Sequence, residues 1–177
     1  MGKRSNFERI DKDFYPTIDP RAVQPLQRYT NGLIYNIKYY EPCVGAGHLR
    51  NLLDSIGFEC VGGSDILTGT DALTLKAEDL NGADLIITNP PWSRPLLHPL
   101  IAHFSSMKPT LLLFDADWMH TKQARPYMRY CHSITSVGRL TWIEGTKMTG
   151  KDNCAWYYFD QNLKYTYTAF FTGENID

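Results

Sequence analysis

The order of apolar runs and glycine turns in this 177-residue chain predicts an α/β fold. The expected form is a three-layer sandwich, a mainly parallel Rossmann-like sheet with an antiparallel hairpin towards its C-terminal end. Two observations predict it. Early in the chain, short β-prone runs alternate with helical segments, as parallel strands joined by crossovers require. Late in the chain, two such runs follow one another across a polar loop, as antiparallel neighbours do.

The elements follow in order. Asn36 to Glu41 reads as a first strand. A glycine-containing turn, Pro42 to Gly47, leads into a helix whose Leu49, Leu52 and Leu53 share a face, with Gly57 as its stop. Phe58 to Val61 is a second strand leading toward Asp65, and Leu85 to Thr88 is a third, apolar enough to be central. Leu96 to Phe104 is a helix limited at its start by Pro95 and containing Pro99. Thr110 to Phe114 is a further buried strand. Ile134 to Ile143 and Ala155 to Phe159 form the hairpin across a polar loop, Glu144 to Cys154, and should close the far edge of the sheet. In sheets of this kind ligands bind outside the carboxyl ends of the strands near the topological switch point, where Glu41, Asp65 and Asn89 should all fall.

The composition bounds the rest. A hydrophobic content of 43% describes a globular protein, and no apolar run approaches the length of a membrane span. The length suits one domain, 1–177, without room for a second sizeable one. Met1 to Ser5 is basic but precedes no apolar stretch, so no secretory signal is expected and the cytoplasm is the default location. Cys43, Cys60, Cys131 and Cys154 are scattered, with no Cys-x-x-Cys pair, and the five histidines show no ligand pattern, so no metal is expected. The net charge of −1 does not advertise a nucleic-acid binder, but Trp118 to Lys151 carries a local excess of +5. A solvated face and a binding surface both account for such a run.

Asn89-Pro90-Pro91-Trp92 follows the central strand directly. A nucleobase amine is a poor nucleophile because its lone pair is delocalised into the ring. Two acceptors aimed at its N–H bonds would draw that pair out of conjugation, and the Asn89 side-chain oxygen and the Pro90 carbonyl can supply them. The prolines restrain both residues, so the acceptors are held in advance, as electrostatic catalysis requires. Trp92 adds a flat face for stacking a base. The competing reading is that Asn-Pro-Pro merely ends a buried strand. Glu41-Pro42-Cys43-Val44-Gly45-Ala46-Gly47 places an acid at a strand end before glycines that allow backbone to approach a ligand. A nucleotide-phosphate loop would want a further glycine or a Gly-Lys-Ser/Thr run, which are lacking. Asp65 can accept hydrogen bonds from ribose hydroxyls or simply form a turn.

Taken together, these residues resemble the class I S-adenosylmethionine-dependent amino-methyltransferases, in particular small phage-type enzymes acting on N6 of adenine in DNA. Glu41 to Gly47 resembles the cofactor motif, with Glu41, Pro42, Gly45 and Gly47 as contacts. Asp65 and Ile66 resemble the ribose-binding pair, Asp71-Ala72-Leu73 the segment holding the cofactor's adenine, and Asn89 to Trp92 the catalytic tetrapeptide. Asp13-Phe14-Tyr15-Pro16-Thr17 resembles the N-terminal motif beside the cofactor's methionine part. The connection between Asp65 and Leu85 is shorter than the family's usual one. Trp142 to Lys147, continuing through Asn153 to Trp156, resembles a target-base loop, against the alternative of an ordinary hairpin with a core Trp.

The resemblance implies S-adenosylmethionine as cofactor and DNA as partner, with RNA as the alternative. It also implies a methyltransferase domain without a separate target-recognition domain, in the host cytoplasm if the chain is phage-encoded. It implies Asn89, Pro90, Pro91 and Trp92 as catalytic, and Tyr15, Pro16, Thr17, Ala72 and Asn89 among the cofactor contacts. Trp92, Arg94, Lys147, Lys151 and Asn153 are the candidates for substrate contacts. The tetrapeptide also serves enzymes that methylate RNA bases or protein glutamine, and an inactive cofactor-binding subunit is the non-enzyme reading.

Overall fold

The computed structural model describes residues 15–30, 36–146, 148–164 and 167–173. Asp13, Phe14 and Lys147, named above as site candidates, lie outside the described residues.

Among the described residues seven strands form one sheet: β1 (Lys38–Glu41), β2 (Glu59–Gly63), β3 (Leu85–Thr88), β4 (Thr110–Asp115), β5 (Cys131–Gly138), β6 (Cys154–Phe159) and β7 (Ala169–Phe171). The helices are α1 (Gln27–Thr30), α2 (His48–Ser55), α3 (Arg94–Met107) and α4 (Arg125–Met128), with short 3-10 turns between elements. The strand order is β2-β1-β3-β4-β6-β5-β7. Pairing is parallel from β2 through β4, antiparallel across β4-β6-β5, and parallel again between β5 and β7. The α/β, mainly parallel sheet with its antiparallel hairpin is thus as expected.

The alternation of side chains along each strand builds the three layers. Tyr40, Ile86, Leu112, Phe114, Tyr157 and Phe159 face a core completed by Leu97, Leu100, Ile101 and Phe104 of α3. Their neighbours Tyr39, Ile87, Leu111, Leu113 and Trp156 face the opposite core, against Leu49 and Leu53 of α2 and the N-terminal Ala22 and Leu26. Strands covered on both faces read as continuous apolar runs, which is why β3 and β4 stand out in the sequence.

Three boundaries differ from expectation. Pro95 lies inside the first turn of α3 rather than limiting it, because the N–H it lacks has no partner there anyway. Pro99 is tolerated further in, where the buried stripe Leu97, Leu100, Ile101 and Phe104 offsets the lost hydrogen bond. The hairpin's first strand runs from Cys131 and stops at Gly138, whose φ of 88° turns the chain outward, so Trp142 and Ile143 fall in the connecting loop. The hairpin also does not close the sheet. β7 takes that edge, and Arg28 holds it by lying 4.2 Å over the Phe171 ring and donating from Nη2 to the Thr172 carbonyl at 3.2 Å.

Between β2 and β3 the chain forms only 3-10 turns, so β2 is the other edge strand. Asn81 covers part of that edge by donating from Nδ2 to the Val61 carbonyl at 3.2 Å. Among the described residues no helix is long and apolar enough to cross a membrane, and no His, Cys, Asp and Glu group could hold a metal ion.

Candidate active site

From β1 the chain steps outward to β2 and then crosses back to β3 on the other side of β1, so the sheet's switch point lies between β1 and β3. Glu41 ends β1, Asp65 lies two residues beyond β2, and Asn89 directly follows β3. Open α/β sheets form their ligand crevices at this place. A cavity of about 550 Å3 occupies it. That volume is within the range of roughly 300–1,000 Å3 typical of small-molecule and cofactor sites.

Nearly all the residues named from sequence meet there. Tyr15, Pro16, Thr17, Glu41, Pro42, Gly45, Asp65, Ile66, Asp71, Ala72 and the whole Asn89-Pro90-Pro91-Trp92 corner line the cavity. Gly47 stands just behind the lining and turns the chain into α2 with φ 80°, a conformation that favours glycine. Arg94, Lys151 and Asn153 do not line it. Arg94 is the exposed first residue of α3, while Lys151 and Asn153 lie exposed in the loop before β6.

The glycine turn is clasped from the side. Both Asp65 carboxylate oxygens accept backbone N–H groups, Oδ2 from Gly45 at 2.7 Å and Oδ1 from Leu67 at 2.8 Å. The lone Asp is therefore a turn former in fact, and each oxygen keeps a second lone pair. Gly63 is required for the same closeness: a Cβ there would collide with Val44 Cγ2 and the Glu41 carbonyl.

Glu41 is almost wholly buried, and its Oε2 has no hydrogen-bond partner. Burial pushes its carboxyl up to about 8; Arg50 opposes the shift, while Asp65 and Asp54 add to it. Nδ1 of His48, another lining residue, is likewise buried and partnerless. Buried polar groups are ordinarily satisfied, so these two atoms mark where a polar ligand would complete the site. Cys43 also lines the cavity, but burial pushes its thiol up to about 12, leaving it protonated and a poor nucleophile at neutral pH.

The amide of Asn89 is held at every end. Nδ2 donates to the Tyr15 carbonyl at 3.2 Å and to Thr17 Oγ1 at 3.0 Å, while Oδ1 accepts the Trp92 indole N–H at 2.9 Å. A carbonyl cannot donate and an indole N–H cannot accept, so the network fixes which end of the amide is oxygen. Trp92 is half-buried against both cores. Its ring meets Trp142 edge-on at 5.6 Å, and Trp142 in turn meets Tyr15 at 6.3 Å. Trp92 lines the cavity while its indole N–H is bonded within its own tetrapeptide. The Asn89–Thr17 contact joins residues 72 apart in sequence, so no local motif could announce it. His48 was also missed, although its place directly after the glycine turn is the kind of signal that finds such residues.

The architecture is that of the class I methyltransferase fold. A Listeria monocytogenes protein assigned provisionally as a class I S-adenosylmethionine-dependent methyltransferase superposes with TM-score 0.57 at 10% identity, over 97% of this chain and 69% of its own. A protein assigned provisionally as the modification subunit of a type I restriction enzyme from Vibrio vulnificus gives 0.54 at 11%, over 92% of this chain and 47% of its own. The type IIG restriction endonuclease BpuSI gives 0.53 at 10%, over 81% of this chain and 25% of its own. The chain thus spans about half of the Vibrio subunit and a quarter of BpuSI. No protein-family model matches the sequence, and no curated protein does.

Proposed function

We propose that this chain is an S-adenosylmethionine-dependent methyltransferase that modifies the exocyclic N6 amine of adenine in DNA. One observation carries the reading: a donor-locked Asn89 lines the same cavity that the glycine turn walls. The restriction-modification proteins among the structural neighbours support DNA as the partner, as does the local +5 charge between Trp118 and Lys151.

The residues present fit the cofactor. Glu41 offers a buried carboxyl whose Oε2 is partnerless, and each Asp65 oxygen retains a lone pair that a ribose hydroxyl could use. Ile66, Ala72 and Leu73 give an apolar wall for a purine, and Tyr15 to Thr17 line the same cavity. When bound, the cofactor supplies an electrophilic methyl group.

The chain's own part is to strip hydration from the amine and hold it. The Asn89 oxygen and the Pro90 carbonyl accept its N–H bonds, which localises the nitrogen lone pair and brings reacting atoms to about 3 to 3.5 Å. The protonated Cys43 fits direct transfer without a covalent enzyme intermediate. A base in a duplex must leave the stack to reach the corner, as base-modifying enzymes require. Arg94, Lys151 and Asn153 lie outside the cavity, where nucleic-acid backbone would pass.

The deciding experiment incubates the purified chain with unmethylated DNA and labelled cofactor, then identifies the methylated nucleoside by mass spectrometry. N6-methyladenine is expected; N4-methylcytosine, or methylation only of RNA or protein, would refute the adenine assignment. Asn89→Ala should bind cofactor within about threefold of wild type while losing at least about a hundredfold in turnover.

A further inference from the structure

We propose that Thr17 is a positioning residue for Asn89: its hydroxyl and the Tyr15 carbonyl together hold the amide so that its oxygen, not its nitrogen, faces the substrate amine. The inference rests on the methyltransferase reading and adds a role to a residue otherwise placed beside the cofactor. An asparagine amide is nearly symmetrical in shape, and a half-turn about its last torsion would aim two donors at the amine and destroy the acceptor. Something must therefore choose the orientation. The Trp92 indole fixes one end by donating to Oδ1, and the other end is fixed where Nδ2 meets two oxygens at 3.0 and 3.2 Å. The Tyr15 carbonyl is an acceptor under all conditions, and the Thr17 hydroxyl has lone pairs to offer.

The segment carrying these oxygens is itself anchored. Thr17 is 3% exposed. Asp19, two residues on, accepts the Thr141 N–H at 2.9 Å, and Ala22 takes the Trp156 indole N–H on its carbonyl at 2.6 Å. Burial would raise the Asp19 carboxyl, but hydrogen bonds from Arg21 and Thr141 hold it below the ordinary carboxylate range, so the anchor is ionised at neutral pH. The N-terminal segment is thereby braced on β6 and on the loop after β5, and it delivers its two acceptors to a residue on β3's end. A catalytic group supported by packed, hydrogen-bonded neighbours keeps its geometry; one left to itself loses rate.

The test compares Thr17→Val, which keeps the shape and removes the hydroxyl, with Thr17→Ser, which restores it. Three readouts are needed: methyl transfer to DNA resolved into kcat and KM, cofactor affinity by titration, and proton exchange of the Asn89 side-chain amide by 15N NMR, assigned with Asn89→Ala. Thr17→Val should lower kcat by about ten- to a hundredfold at saturating cofactor and accelerate Asn89 amide exchange. Thr17→Ser should lie near wild type in both. A lowered melting temperature in Thr17→Val moves the same comparison to Thr17→Ala against Thr17→Ser. Wild-type exchange and kcat in the variants lacking the hydroxyl would overturn the proposal, and so would a loss confined to cofactor affinity. If exchange responds as expected but the wild-type chain methylates nothing, the positioning stands and the methyltransferase reading falls.

Discussion

The Asn89→Asp substitution looks conservative and should not be. It replaces Nδ2, which donates two hydrogen bonds, with an oxygen that donates none when ionised. That oxygen would face the Tyr15 carbonyl at 3.2 Å and Thr17 Oγ1 at 3.0 Å. The threonine hydroxyl can rotate to donate its proton, but the Tyr15 carbonyl has none to give. One favourable contact becomes an oxygen–oxygen contact, and leaving a shielded acceptor unpaired costs about 1–3 kcal/mol. The variant has two ways to relieve this. It can turn the carboxylate away from the corner, or it can take up a proton and donate that proton to Tyr15, restoring the pattern of the amide.

The second route makes the defect depend on pH. Every 1.4 kcal/mol of penalty on the ionised form multiplies proton affinity about tenfold, so the carboxyl's pKa rises above its ordinary value. At about pH 8 the variant should therefore turn over about ten- to a hundredfold more slowly than wild type. The deficit should shrink as the pH is lowered toward about 5, because protonation rebuilds the donor. Initial rates of labelled methyl transfer at saturating cofactor, measured across this range for both proteins, give the ratio directly. A ratio near one at every pH would show that the Asn89 amide is not locked through its donors. A constant deficit without recovery in acid would show that the carboxylate had left the corner.

Two further perturbations report on the other wall of the cavity. Glu41 has its carboxyl raised from an ordinary 4.5 to about 8 by burial, so its contribution to stability is complete below about pH 4.5 and is lost as pH rises through 8. Melting temperature of the unliganded chain should accordingly fall over this interval, and Glu41→Gln should flatten that fall; an unchanged slope would place the titration elsewhere. Gly63→Ala should lower stability by about 1–3 kcal/mol in denaturant unfolding, because its Cβ would strike Val44 and the Glu41 carbonyl. An unmoved midpoint would show that the glycine turn has room to yield.

Much of this is legible in the sequence where the chemistry is local. β3 and β4 carry continuous apolar runs because both faces are covered, and the glycine turn and the Asn-Pro-Pro-Trp corner each carry their own geometry. What was not legible depends on partners distant in the chain. β7 is three residues long, and its place at the sheet edge is set by β5 and Arg28, neither of which leaves a mark on Ala169 to Phe171. The ends of β5 were misplaced for a related reason: Trp142 continues an apolar run, but Gly138 turns the chain and the ring is drawn to Trp92. Asp65 shows the same limit at the site. A lone acid after a strand says nothing of which N–H groups will reach it, and here two backbone donors do.

The Trp92 indole gives the corner a property that the tetrapeptide alone does not suggest. Its N–H sits on the Asn89 oxygen at 2.9 Å, the atom assigned to receive the substrate amine. This does not close the site, because an amide oxygen has two lone pairs and the indole uses one. With Nδ2 held by two oxygens and Oδ1 by one N–H, the amide is satisfied and oriented before any substrate arrives. Under the proposed function, an incoming amine would meet an acceptor whose direction is already set, so little reorganisation would remain for the moment of reaction. Trp142 and Tyr15 extend the same construction. Trp142 packs edge to face with Trp92 and Tyr15 with Trp142, which connects the loop after β5 to the N-terminal segment that holds the amide's other end.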